Sequence, residues 1–323
     1  MREILVFMLT LLAVHALTEK EQWDSFKSVH NKVYQNVKED ALRFEVFQKY
    51  LRKIEEHNAR YEKGEVTWFK KVDRFSDWTE DEIRHFFNNQ KTRKPKLTNV
   101  TYATFPKNLK VPDSMDWRQH NAVREVKDQG NCGSCWSFST TGSVEGQIAL
   151  KKNMQISLSE QQLLDCSVSD NGCNGGWVNN ALNYIRDNGI MSEGDYSYKA
   201  TQGNCRYDAN RVITRINGQI HVQRMNEWDM LQASGTVGPL SVGINAPPIV
   251  GYGGGIFDID GCPNGDGDLN HAVLAVGYGS ENGLDYWIVK NSWGVGFGEQ
   301  GYIRMRRGKN LCGIAVDPCY PEV

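Results

Sequence analysis

A chain of 323 residues exceeds the needs of one ordinary domain and excludes a peptide hormone or small toxin. With 40% hydrophobic, 11% aromatic and 24% charged residues, the composition is that of a folded globular protein, neither disordered nor membrane-embedded. The net charge of −2 supplies no basic face for a nucleic-acid partner. Charge and cysteine are unevenly spread: residues 1–110 carry 21 basic and 16 acidic side chains and no cysteine, whereas residues 111–323 carry 16 and 23 and all eight cysteines.

Residues Met1-Arg2-Glu3 and an apolar run from Ile4 to Val14, ending in Val14-His15-Ala16, predict a secretory signal peptide over residues 1–16. No later segment is long and apolar enough to span a membrane. An oxidising compartment lets cysteines form disulfides, so the eight are read first as a framework and only then as metal ligands. From Glu19 to Phe87 the pattern is helical. Arg43, Phe47, Tyr50, Ile54 and Asn58 recur at three- and four-residue steps along one stripe. The acids of Thr79-Glu80-Asp81-Glu82 suit the start of a further helix. Residues 88–110 lose periodicity and read as an exposed linker carrying the single glycosylation sequon, at Asn99.

The body opens at Val111, and Gln129-Gly130-Asn131-Cys132-Gly133-Ser134-Cys135-Trp136 leads into a helix rich in small residues. A cysteine at a helix start sits by the positive end of the dipole, which favours thiolate. Cys132-Gly-Ser-Cys135 alone is ambiguous: a redox pair, half of a zinc site, or one structural and one reactive cysteine. No second Cys-x-x-Cys completes a zinc site, and no metal or other cofactor is expected. A nucleophilic thiol needs a base that also protonates the leaving amine, a task suited to histidine. The body holds His120, His221 and His271. His271 opens a strand-like run, Leu269 to Tyr278, and the next run ends in Asn291-Ser292-Trp293-Gly294. An Asn carbonyl can fix an imidazole tautomer, and Trp293 can keep water off that bond.

With these motifs the chain resembles the papain family of cysteine peptidases, in its cathepsin L-like branch, made as a preproenzyme; the Cys-Gly-Ser-Cys-Trp signature with a downstream His and Asn is an established mark of that family. The resemblance implies an α+β fold: a two-lobed catalytic domain over residues 111–323, with a helical left lobe and a β-barrel-like right lobe, after a mainly helical inhibitory propeptide over residues 17–110. It implies a cysteine endopeptidase, with Cys135 as nucleophile in a thiolate–imidazolium pair with His271, Asn291 orienting the ring, and Gln129 in the oxyanion hole. Gly175 and Gly176 belong to the substrate-wall loop. Trp177, Val178, Gly243 and Ala272 line the pocket for the second residue before the scissile bond, where Gly243 leaves room for a large side chain. Trp293 forms an aromatic wall, Phe297 standing where a second Trp is usual. Asp317 falls at the far end of the pocket, either accepting Arg or Lys there or pointing to solvent.

The resemblance further implies disulfides Cys132–Cys173, Cys166–Cys205 and Cys262–Cys312, leaving Cys319 as a buried free thiol where an aromatic is common. The leader stripe matches the family's interrupted propeptide helix motif through Glu39, Arg43, Phe47, Ile54 and Asn58, with Tyr50 replacing an Asn. Phe75 and Asp77 match a second motif in which Lys71 and Asp73 replace Gly and Asn. Expected partners are peptide and protein substrates, the chain's own propeptide and cystatin-like inhibitors; the chain is expected to be a monomer, and secreted or lysosomal. The competing readings are a catalytically impaired binding protein and a thiol–disulfide oxidoreductase using Cys132 and Cys135. Gly251–Gly255 lacks the strand–loop–helix context of a nucleotide loop.

Overall fold

The computed structural model describes residues 17–89 and 100–323. The expected signal peptide and the sequon at Asn99 lie outside the described residues. The leader forms helices α1 (Glu19–Val29), α2 (Val37–Glu62) and α3 (Glu80–Asn89) and strands β1 (Trp68–Lys70) and β2 (Thr101–Tyr102). The body adds β3 (Met115–Asp116), α4 (Cys135–Lys152), α5 (Glu160–Cys166), α6 (Val178–Asn188), β4 (Ile190–Met191), β5 (Val212–Thr214), β6 (Gly218–His221) and α7 (Glu227–Thr236). It ends with β7 (Leu240–Ile244), β8 (Tyr252–Phe257), β9 (His271–Glu281), β10 (Leu284–Lys290), β11 (Tyr302–Arg306) and β12 (Cys319–Glu322).

Each leader helix begins where its capping residues dictate. Thr18 and Glu21 form a reciprocal capping box on α1, and the Asn36 side chain accepts from the Glu39 N–H at the start of α2. The α2 stripe then divides its tasks. Phe47 is fully buried among Trp23 and Phe26, which closes the α1–α2 pair. Arg43 reaches Glu82 of α3 at 2.8 Å, and the Asn58 amide bonds both backbone groups of Lys70, at 2.9 and 2.7 Å, so it holds β1 as a neighbouring strand would.

The main sheet has ten strands among the described residues, in the order β1-β8-β11-β10-β9-β7-β12-β6-β2 with β3 on β9. The expected barrel-like right lobe is in fact an open sheet. Its hydrogen-bonded path ends at β1 on one side and β2 on the other, and both end strands belong to the leader. The core is shared in the same way: Trp68, Phe75, Ile83 and Phe87 of the leader lie in one buried cluster with Tyr252, Phe257 and Trp293 of the body. Burying each large apolar side chain contributes roughly 1.5–3 kcal/mol, which makes leader and body one cooperative unit.

The second lobe packs α4, α5 and α6 around Trp136, Ile148, Leu163 and Leu182. Cys132–Cys173 and Cys166–Cys205 tie this helical lobe, and Cys262–Cys312 ties the sheet lobe. Behind the α4–sheet contact, the Lys127 ammonium donates to both oxygens of Glu160 at 2.8 Å, and Thr141 of α4 donates to the same carboxylate at 2.6 Å.

The β1–β8 junction depends on missing side chains. A Cβ on Gly253 or Gly254 would lie 2.5 or 2.7 Å from the Phe69 ring. Gly254→Val should therefore displace β1 at a cost of about 1–3 kcal/mol. The expected outcome is hydrogen exchange at least about tenfold faster in residues 66–71, with α4 unchanged and partial recovery in Gly254→Val/Phe69→Ala.

Candidate active site

Helix α4 starts at Cys135 with its first turn buried, so the thiol sits where unpaired backbone N–H groups converge. The backbone N–H groups of Trp136 and of Cys135 itself act on the sulfur, as does that of Ala272, the residue after His271 at the start of β9. Helix N-terminus and strand N-terminus thus meet at one point. The approach is close because α4 turns small residues to the sheet: Ser139 donates to Val273 O at 2.7 Å, Ser241 donates to Ser139 O at 2.8 Å, and a Cβ on Gly142 would fall 2.9 Å from Leu274.

The His271 ring is held from one side only. Its Nε2 lies 2.8 Å from Asn291 Oδ1 at the end of β10. The same Oδ1 accepts the Ser292 N–H at 2.8 Å, which fixes the amide with its oxygen toward the ring. Nε2 must then carry the proton, leaving Nδ1 as an acceptor, and this buried atom has no hydrogen-bond partner. Trp293 tilts over the ring at 4.9 Å between centroids, and Phe87 of the leader presents its edge to the imidazole at 6.0 Å. Phe75 packs edge-on against Trp293 at 5.3 Å. Leader aromatics thus cover the imidazole and its indole neighbour.

Burial decides the protonation of both groups. It pushes the Cys135 thiol up to about 11, against the pull of the backbone N–H groups, and pulls His271 down to about 4, against the Asn291 hydrogen bond. With the leader docked the two groups are a neutral thiol and a neutral imidazole. The helix-start argument taken from sequence favours thiolate, and here desolvation outweighs it.

Gln129 is buried with both amide ends committed. Ser292 Oγ donates to its Oε1 at 2.6 Å and its Nε2 donates to Cys132 O at 2.8 Å, leaving one N–H of the amide. Cys132 is bonded to Cys173, so it is not available as a redox partner for Cys135. Trp136 ties α4 to the glycine loop by donating to Gly172 O at 3.2 Å, and its ring lies 2.6 Å from where a Cβ on Gly176 would stand.

Cys135 and His271 line one cavity of about 50 Å³. Gly176, Trp177, Val178, Gly243, Ala272 and Asp317 line the same cavity. Gly175 and Trp293 are not part of that lining. Space expected above Gly243 is taken by Leu269, whose Cδ1 is 2.9 Å from the Cβ position. Leu269, Asn179 and Cys319 also line the cavity and were not singled out as lining residues from sequence; Leu269 opens the run that carries His271, whereas Asn179 lies outside the motifs and only topology brings it in. Asp317 does not face solvent: its side chain is buried with Oδ1 3.5 Å from His221 Nδ1. Cys319 is buried, and its sulfur lies 3.7 Å from Asn179 Oδ1. Among the described residues no group of His, Cys, Asp or Glu could hold a metal ion, and no helix is long and apolar enough to cross a membrane.

The leader locks onto the same region by polar contacts. Arg74 pairs with Asp128 and donates to Trp293 O at 2.9 Å, and Lys71 donates to Gly298 O at 2.7 Å. Buried Asp73 accepts the Gly251 N–H at 2.7 Å and the Phe75 N–H at 2.9 Å.

Comparison with known proteins supplies the family. Residues 111–322 match the papain family cysteine protease domain, and residues 23–83 match the cathepsin propeptide inhibitor domain. A cathepsin L-like proteinase of Phaedon cochleariae is 40% identical over 325 residues, covering 99% of each chain. A digestive cysteine proteinase 1 of Homarus americanus is 41% identical, covering 98% of this chain and 99% of its own. Among solved structures, digestive procathepsin L 3 of the Tenebrio molitor larval midgut superposes with a TM-score of 0.89 at 45% identity, covering 95% of this chain and 100% of that one. The chain belongs to the papain family of cysteine proteases, as a cathepsin L-like zymogen that carries its own propeptide inhibitor domain.

Proposed function

We propose that Cys135 is the nucleophile and His271 the acid–base partner of this cysteine endopeptidase, with Asn291 orienting the ring and Gln129 donating to the oxyanion. One observation carries the assignment: Asn291 holds Nε2 of His271 and leaves the buried Nδ1 without a partner in the cavity that Cys135 lines. Once the leader departs, water returns and the opposite charges stabilise each other, so the neutral pair shifts toward thiolate and imidazolium. The thiolate attacks the peptide carbonyl, His271 protonates the departing amine, and water hydrolyses the acyl-enzyme. Gly175 and Gly176 supply bare backbone against which an extended substrate pairs. A catalytically impaired binding protein would not need the committed Gln129 amide or the single-sided His271 geometry.

Residues 17–110 act as the inhibitor and are removed by cleavage near Lys110, where Lys107, Asn108 and Lys110 are exposed. Acid favours this release. Hydrogen bonding from Lys53 holds the Glu80 carboxyl below its usual range. Burial works to raise Glu82, but hydrogen bonds from Arg43 and Thr79 outweigh it and the net shift is downward. Depressed carboxylates stabilise above their ordinary pKa and lose that contribution as pH falls, so the α3–α2 pairs weaken in acid. Asp73 has the opposite sign: burial raises its pKa, so protonation favours docking and this residue does not drive acid release. Three disulfides fit a chain made in the secretory pathway. We assign secretion over lysosomal delivery because the sole sequon, Asn99, leaves with the leader. Cystatin-like inhibitors take the place that the leader vacates, and the mature enzyme acts as a monomer. Asp317 accepts Arg or Lys as the second residue before the scissile bond.

Four outcomes test these roles. The mature enzyme is labelled once, at Cys135, by an epoxysuccinyl thiol inhibitor. The intact zymogen reacts with iodoacetamide only slowly at neutral pH, because its thiol titrates near 11; equal rates for zymogen and mature enzyme would contradict the burial argument. Gln129→Ala lowers kcat by about 100- to 1000-fold with KM little changed, measured on a fluorogenic peptide. Purified zymogen processes at least about tenfold faster near pH 4.5 than near pH 7, and Glu82→Gln flattens that difference; a pH-independent rate would refute acid release.

A further inference from the structure

Strand β8 ends one side of the sheet contributed by the body, and the leader occupies its outer edge. Trp68 pairs with Gly255, Phe69 with Gly254 and Lys70 with Tyr252, all antiparallel. The flanking bonds run from Lys71 N–H to Gly251 O and from Ile256 N–H to Thr67 O, both at 2.9 Å. Side chains add to this ladder. Trp68 is 4% exposed and packs edge-on against Phe257 at 4.8 Å and tilted to Tyr252 at 6.3 Å between centroids. The Phe69 ring lies over Gly253 and Gly254 in the space a Cβ would take, and the Lys71 ammonium donates to Gly298 O at 2.7 Å.

Maturation strips this cover. Strand β8 reads Tyr-Gly-Gly-Gly-Ile-Phe, with neither a charge nor a proline, the usual guards of an edge strand against pairing. Its inner side stays paired with β11, so the mature enzyme holds the strand in place with its outward N–H and C=O groups uncovered. The edge is also joined to the catalytic cleft. The rings of His271, Trp293, Phe297 and Tyr252 follow one another at 4.9, 5.0 and 6.0 Å. The residue before the scissile bond is assigned to the cavity of Gly243 and Ala272, whose lining does not include Trp293. The substrate chain after the bond therefore runs over Trp293 and Phe297 toward β8.

We propose that the uncovered β8 edge is a docking exosite, which captures an extended segment of a protein substrate downstream of the cleaved bond. The segment adds to the sheet as β1 does, with two consecutive aromatic residues followed, after one further residue, by Lys or Arg. The inference rests on the cleft reading given under Proposed function and adds a substrate class to it: unfolded or extended protein chains are favoured over short peptides.

The test uses mature enzyme and internally quenched peptides that share one cleaved sequence. A spacer of about eight Gly and Ser residues, whose reach of about 16 Å matches the path of rings, leads to Thr-Trp-Phe-Lys-Lys-Val or to the same residues scrambled so that the aromatics are apart. The docking tail should lower KM by about tenfold against the scrambled tail with kcat unchanged, because docking adds binding that ground state and transition state share. Gly254→Val should abolish that advantage and leave hydrolysis of the peptide without a tail unchanged. Equal KM values for the two tails in active wild type overturn the exosite alone, as does an advantage that survives Gly254→Val. Wild type that cleaves none of the peptides refutes the cleft reading, and the exosite falls with it. Mature enzyme that sediments as a dimer, with Gly254→Val monomeric, gives the edge to a second copy and overturns the proposal. Should Gly254→Val give no mature enzyme, Gly253→Ala, whose added Cβ takes the same space beneath the ring, is read by the same criterion.

Discussion

The close approach of helix α4 to strand β9 is the contact on which the rest depends. Ser139 and Gly142 on the helix face let the backbones come near enough for Ser139 to bond Val273 O and for Leu274 to occupy the place of a missing Cβ. That approach brings the helix start at Cys135 to the strand start at His271, and the backbone N–H of Ala272 to the sulfur. A larger residue at position 142 would push the lobes apart and separate Cys135 from His271. Close packing leaves little give, so a lobe shift is paid in catalytic geometry.

Latency follows from what the leader contributes to the same architecture. It supplies both end strands of the sheet and four buried residues of its core, and it lays Phe87 beside the His271 ring. The consequence is electrostatic as well as steric. Excluding water makes charge separation between Cys135 and His271 unfavourable, so the zymogen holds the Cys135 thiol protonated. Removal of one segment then uncovers the site, rehydrates it and frees two sheet edges.

Much of the site was legible from local sequence. The residues around Cys135, His271 and Asn291 carry chemistry that only one arrangement explains economically, and the leader stripe from Arg43 to Asn58 marked a helix face from which Arg43, Phe47 and Asn58 make specific contacts. The specificity cavity was less legible. Gly243 read as open space is filled by Leu269, a residue from a loop 26 positions away that no local pattern connects to it. The barrel-like lobe implied by the resemblance is an open sheet, because its hydrogen-bonded path ends at the leader strands β1 and β2, whose three and two residues carry almost no periodic signal in the sequence.

The sequence by itself determined the chemistry and its order along the chain: a basic, cysteine-free leader before an acidic, cysteine-rich body, and the identity of the thiol, imidazole and amide. These rest on residue type and short-range spacing. Only the tertiary structure decided the charge state of Cys135 and His271, the packing of Leu269 against Gly243, and the pairing of Asp317 with His221. Burial and long-range contact are properties of the packed whole: positions 221 and 317 become neighbours only when β6 and β12 lie side by side, and a thiol at a helix start stays neutral only when the rest of the fold excludes water.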